Sequence, residues 1–305
     1  MRWGAEVRVT GAMTVGSNGY VYASSDGVNF GAPRFLPGSL TVARGGTLSA
    51  DKRGGLGRHV DASRRNFGFP SDLNGYYGFG PGGGYKPNAA GHGGRGGRSG
   101  IVGAQLYGVY GEPYDDEWFP IWPGSGGGCD AAGSSNFGAG GTGGGIIHVT
   151  TPGAIVVDGK VSADGGMDAF YSTDDMYRFG AGSGGTVFLF GETFTGGDGA
   201  QITVKGGDGY QRSQGNQLSG TGAGGRIAIW TGYGIHEGGT FHTHKRTECP
   251  FEFAGTLSAA AGVRLIPPGG SQTNSAEAIA FSIGAAGTVR FGEFVRVPGA
   301  RIIIR

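Results

Sequence analysis

Residues 143–166 read GGGIIHVTTPGAIVVDGKVSADGG. Between the glycine corners Ile147, Val149, Ile155, Val157, Val161 and Ala163 alternate with other residues, the period-two signature of short strands with one buried face. The pattern returns as GGTVFLF from Gly184 and GGRIAIW from Gly224, so a Gly-Gly pair recurs every forty residues from Gly144. One such unit cannot bury its own apolar face, whereas stacked units share a continuous core. The chain therefore reads as an all-β solenoid. The offset predicts two vertical ladders of inward side chains, Ile147–Val187–Ile227 and Val149–Leu189–Ile229.

Outward from this stretch, TLSAD at 47–51 matches KVSAD at 160–164 and, more loosely, GTLSA at 255–259. Residues 1–53 carry the short runs VRV, MTV, YVYA, SLTV and TLSA between turn residues and read as the first coils. Residues 144–305 read as the later coils, closing with TLSA, VRLI, AIAFSI, TVRF, FVRV and ARIIIR as strands. Regular helix is not expected, because no window of about twelve residues avoids glycine while keeping a 3.6-residue apolar period.

Residues 54–143 break the period with GFGPGGGYKP, AGHGGRGGRSG and GSGGG, interrupted by Phe67, Phe69, Tyr76, Tyr77, Trp118 and Trp122. A linker seldom carries so many large rings, so this stretch reads as an ordered lateral lobe of extended, polyglycine-II-like backbone with aromatic rings over it. The loops 167–183 and 208–223 follow strands equivalent to the one that precedes the lobe, which places all three on one face of the stack.

Composition excludes several classes. Among 305 residues there are 71 Gly and 13 Pro but no Gly-X-Y period, which rules out collagen. A net charge of +1 gives no bulk attraction to nucleic acid. No apolar run is long enough to span a membrane, and MRWGAEVRVTGAMTV lacks the layout of a signal peptide.

The phrase GGGIIxV…GAIVVDGKVSADGG…GSGGTVFL…GGDGAQITVKGGDG…GAGGRIAIW, within residues 120–230, resembles the Gly-rich repeats of large secreted or surface-displayed adhesin-like proteins. That resemblance implies a right-handed parallel β-helix and an extracellular or cell-surface, structural or adhesive role. The expected function is a structural subunit of a self-assembling fibre, filament or sheath, with other copies of itself as partners. The alternative is a surface adhesin or carbohydrate-binding β-helix whose exposed Tyr and Trp stack on glycans. A polysaccharide-degrading enzyme is a third, weaker reading by analogy of fold.

No catalytic residues, cofactor or metal are assigned. His242 and His244 with His236, Glu248 and Cys249 have metal-binding residue types, but a polar outer strand face explains HTHK equally well. The GGDG pairs at Gly196 and Gly206 have the wrong spacing for calcium-binding repeats, and Asp164, Asp198 and Asp208 are expected to bond their own turns. Asp115, Asp116 and Glu117 form the only acidic triplet, read as loop charge. Two further expectations are a disulfide between Cys129 and Cys249, placed at the same corner, and end-to-end assembly through Arg301, Ile302, Ile303, Ile304 and Arg305, an apolar strand without a cap.

Overall fold

The computed structural model describes residues 4–60, 77–101, 109–129, 138–167, 179–211, 217–232, 241–246, 253–266 and 276–296. Most of the short apolar runs between glycines within the described residues become strands. In chain order these are β1 (Glu6–Val15), β2 (Tyr20–Tyr22), β3 (Arg34–Val42), β4 (Thr47–Ser49), β5 (His59–Val60), β6 (Gly100–Ile101) and β7 (Gly138–Ala139). Then come β8 (Ile146–Thr150), β9 (Ile155–Val157), β10 (Lys160–Ser162), β11 (Thr186–Phe190), β12 (Phe194–Thr195), β13 (Gln201–Thr203), β14 (Gly209–Tyr210) and β15 (Gln217–Leu218). The last are β16 (Arg226–Thr231), β17 (Phe241–Arg246), β18 (Thr256–Ser258), β19 (Arg264–Leu265), the helix α1 (Ala276–Ser282) and β20 (Thr288–Arg296).

Two sheets, mainly of parallel strands, face each other across one core. The larger runs β12-β9-β3-β8-β11-β16-β20-β17, with β1 also on β3. It curls because β3 is long enough to pair with β8 at its start and with β9 at its end. The smaller runs β18-β13-β10-β4-β2. The forty-residue offset is the pairing register: Ile147, Val187 and Ile227 align, as do Val149, Leu189 and Ile229, and all six are fully buried. Opposite them stack Val21, Leu48, Val161, Ile202 and Leu257, which bears out the equivalence of the TLS and KVS segments.

Three features differ from the sequence reading. Residues 276–282, AEAIAFS, form a helix instead of a strand. Ala and Glu are strong helix formers, and the segment is too short for the window that argued against helix. The carbonyls of its last turn, which lack helical partners, accept the N–H groups of Arg98 and Thr221 at 2.8 and 2.9 Å. TVRF and FVRV join into one nine-residue strand, β20. Pairing is not parallel throughout: β17 lies antiparallel on β20, β15 on β6 and β5 on β7.

The glycine-rich mass is ordered by backbone hydrogen bonds. Along 180–185, Gly180 donates to Gly128, Ala181 to Gly220 and Gly182 to Gly166; then Ser183 returns to Ser125, Gly184 to Ala223 and Gly185 to Ala163. The donor direction thus repeats every third residue toward three different neighbours, the periodicity of an extended helix with three residues per turn. Close approach requires glycine here, since a Cβ on Gly182 would lie 2.3 Å from the Thr142 carbonyl oxygen. Segments from within 54–143 interleave with downstream segments such as 163–166, 180–185 and 219–225, so the glycine-rich mass extends past the expected insertion.

Candidate functional site

After β2 the chain turns sharply through SDGVNFG, residues 25–31. One Asp26 carboxylate oxygen accepts the Val28 and Asn29 N–H groups at 2.8 and 2.7 Å, and the Asp26 carbonyl accepts the Phe30 N–H at 2.9 Å. The Asn29 and Val28 N–H groups hold the Asp26 carboxyl below the ordinary range. The turn leaves Phe30 at φ 62°, a left-handed conformation that is an outlier for a bulky side chain.

Opposite the turn, Phe79, Gly80 and Pro81 are held by the glycine lattice, with the Phe79 N–H donating to Leu56 and its carbonyl accepting from Gly126. Trp122 completes the wall, its ring centroid 5.9 Å from that of Phe30 at 60°. Val28, Asn29, Phe30, Phe79, Gly80, Pro81 and Trp122 thus enclose an open groove of about 710 Å³. Among the described residues no titratable side chain lines it. That size and an aromatic wall with few polar groups suit a small-molecule or oligomer subsite.

Trp122 ends a strap, residues 111–123, laid over the outer face of the larger sheet. Trp230 Nε1 donates to the Trp118 carbonyl at 2.7 Å, Thr186 Oγ1 to the Trp122 carbonyl at 2.7 Å, and Arg226 Nε and Nη2 to the Tyr114 carbonyl. Phe119 stacks on Trp230 with centroids 4.7 Å apart.

The acidic triplet belongs to this strap, and of its three side chains only Asp115 is withdrawn from solvent, Asp116 being exposed and Glu117 partly so. The Asp115 side chain is buried, Asp116 accepts the N–H groups of Trp118 and Phe119, and Glu117 pairs with Arg290 at 2.6 Å. The turn aspartates also depart from expectation, for several bond a neighbouring layer. Asp51 accepts from Ser162 Oγ and the Asp164 N–H, and Asp164 in turn from Thr203 Oγ1 and the Lys205 N–H. Burial raises the Asp164 carboxyl above its usual range despite the Lys205 N–H. Asp208 accepts from the Val263 N–H, whereas Asp198 forms an exposed pair with Arg44.

Cys129 is buried and bridged to Phe179, while Cys249 lies outside the described residues, as do Arg301, Ile302, Ile303, Ile304 and Arg305. His242 and His244 fall on β17, opposite Val295 and Glu293; His236 and Glu248 lie outside the described residues. Among the described residues no group of three or more His, Cys, Asp or Glu is placed to hold a metal ion, and no helix is long and apolar enough to cross a membrane. Of the groove, sequence reading singled out Trp122 alone. The signal for Phe30 was the Asp-Gly-x-Asn turn, where an Asx turn delivers an aromatic side chain at a fixed position.

Comparison with protein-family models, curated proteins and solved structures gives no match.

Proposed function

We propose that this chain is the recognition body of an extracellular or surface-displayed adhesin-like protein, a right-handed parallel β-helix with a glycine lattice at its side, and that its groove binds neutral carbohydrate. The observation that carries this is the adjoining ring pair of Phe30 and Trp122, inclined to each other along an open groove where, among the described residues, Asn29 supplies the only amide side chain and none is charged. A pyranose presents a C–H face to an aromatic ring and hydroxyls at its rim, for which Asn29 and the Gly80 backbone, both lining the groove, would be the partners. That no charged side chain among the described residues lines the groove favours an unsubstituted sugar over an anionic one. The handedness rests on the resemblance, and the helical reading on the parallel strands in forty-residue register. Screening on a glycan array, then titration of the best neutral glycan against Phe30→Ala and Trp122→Ala, tests it. Each variant should bind at least tenfold more weakly with an unchanged melting curve. A wild-type chain that binds no neutral glycan, or variants that bind like wild type, overturn the reading.

The fibre-subunit reading has its own observation. Among the described residues β1 pairs only with β3 and β2 only with β4, so both sheets present an unpaired edge at the same end. Another copy would satisfy those backbone groups. At the opposite end of the larger sheet the outer strand is β17, sequence FHTHKR, whose charged residues oppose simple continuation of the ladder.

A further inference from the structure

We infer that Asp115 is a positioning residue that presets Trp122 in the groove, braced from behind by His92; this rests on the groove being the binding site. Asp115 Oδ2 accepts the N–H groups of Ile121 and Trp122, both at 2.9 Å, and Oδ1 accepts the Asp116 N–H at 2.9 Å. One carboxylate therefore gathers both ends of the 115–122 loop. Its side chain is only 3 % exposed, so those bonds meet little competition from water.

The carboxylate is itself backed by a residue of the lattice. His92 is fully buried, and its Nδ1 lies 2.8 Å from the Gly184 carbonyl, which can only accept, so Nδ1 carries a hydrogen. That bond sets Nε2 facing Asp115 Oδ2 at 3.6 Å, a packing contact longer than a hydrogen bond, while the ring packs on Tyr114 with centroids 4.6 Å apart. Contacts thus run from Gly184 through His92 and Asp115 to the Trp122 backbone, whose carbonyl is tied separately to Thr186.

Backbone strain marks the same place. Asp115 sits at φ 73°, and among the described residues only Asn18, Phe30, Lys52 and Lys86 share a positive φ without being glycine. Two of these five thus bear on the ring pair in the groove: Phe30 is one ring, and Asp115 holds the backbone of the other, Trp122. For Phe30 this backbone is an outlier, whereas an aspartate enters it more readily, so Asp115 suits the position its carboxylate has to hold.

The test uses the full chain labelled with 5-fluorotryptophan, its Trp122 resonance assigned by its loss in Trp122→Phe. In Asp115→Ala the Trp122 resonance should move by more than its linewidth or split, while that of Trp230, which stands on the sheet outside this loop, stays in place. Asp115→Asn, which keeps a carbonyl acceptor and tolerates the left-handed backbone, should restore it in part. If Asp115→Ala does not fold, His92→Phe, which keeps the stack on Tyr114 but removes both ring nitrogens, gives the same readout. An unmoved Trp122 resonance in the folded variants, or movement of all the tryptophans together, overturns the positioning role. No ligand enters this measurement, so it stands or falls apart from the glycan titration.

Discussion

At Gly182 an added methyl group would lie 2.3 Å from the Thr142 carbonyl oxygen, but at Gly11 it would meet nothing within 4 Å. The same residue type is thus obligatory at one position and replaceable at the other. Gly182→Ala should cost at least about 1–3 kcal/mol, the range for forced overpacking, whereas Gly11→Ala should stay within about 1 kcal/mol of wild type. Urea unfolding of the two variants checks the contrast. Val187→Asp belongs to the same scale. The side chain is fully buried between Ile147 and Ile227, so an unpaired carboxylate there should prevent cooperative folding, as read by circular dichroism during a melt. Period-two alternation made that core position legible. Nothing in the sequence separates Gly182 from Gly11, because the difference lies in which distant backbone comes close.

Among the elements, β8 carries a histidine that makes acid stability measurable. His148 is buried against Phe188, with centroids 4.7 Å apart, and burial first, then the Arg34 charge, pushes its pKa down to about 3. A histidine lowered in the folded state favours the neutral form, so its contribution is present above the unfolded value of 6.5 and is lost as pH falls toward 3. Unfolding free energy should therefore drop across that window with a slope approaching about 1.4 kcal/mol per pH unit from this group. His148→Phe, which preserves the stack, should flatten the slope in urea titrations at pH 6.5, 5 and 4; an unchanged slope would count against the assignment. The strands themselves were readable, since repeats forty residues apart impose their own register. The helix at 276–282 was not, being shorter than the span over which a 3.6-residue period can be recognised. Nor was the groove as a whole, because the turn at 26–30, residues 79–81 and Trp122 share no periodicity and meet only through the lattice.

For the whole molecule, the two functional readings predict different particles. A recognition body should sediment as a discrete species whose mass does not depend on concentration, whereas a fibre subunit should show growing filaments by negative-stain electron microscopy. Deletion of 301–305 discriminates further: filaments that persist without those residues would remove them from the assembly contact while leaving the unpaired β1 and β2 edges as candidates. The all-β architecture was legible at this scale from glycine spacing. The reach of the glycine mass was not, because segments such as 219–225 look like ordinary loops until their backbone partners are known.

The strand order β16-β20-β17 sets a timetable for synthesis. As the chain leaves the ribosome, β16 can dock on β11 at once, but β17 emerges before β20, the strand it is to lie against. Until then the edge of β16 that β20 will occupy is open to whichever strand arrives first, and β17 is the nearest in sequence. A nascent chain arrested before residue 288 should therefore expose a sticky sheet edge and be more prone to capture by chaperones than one released at full length.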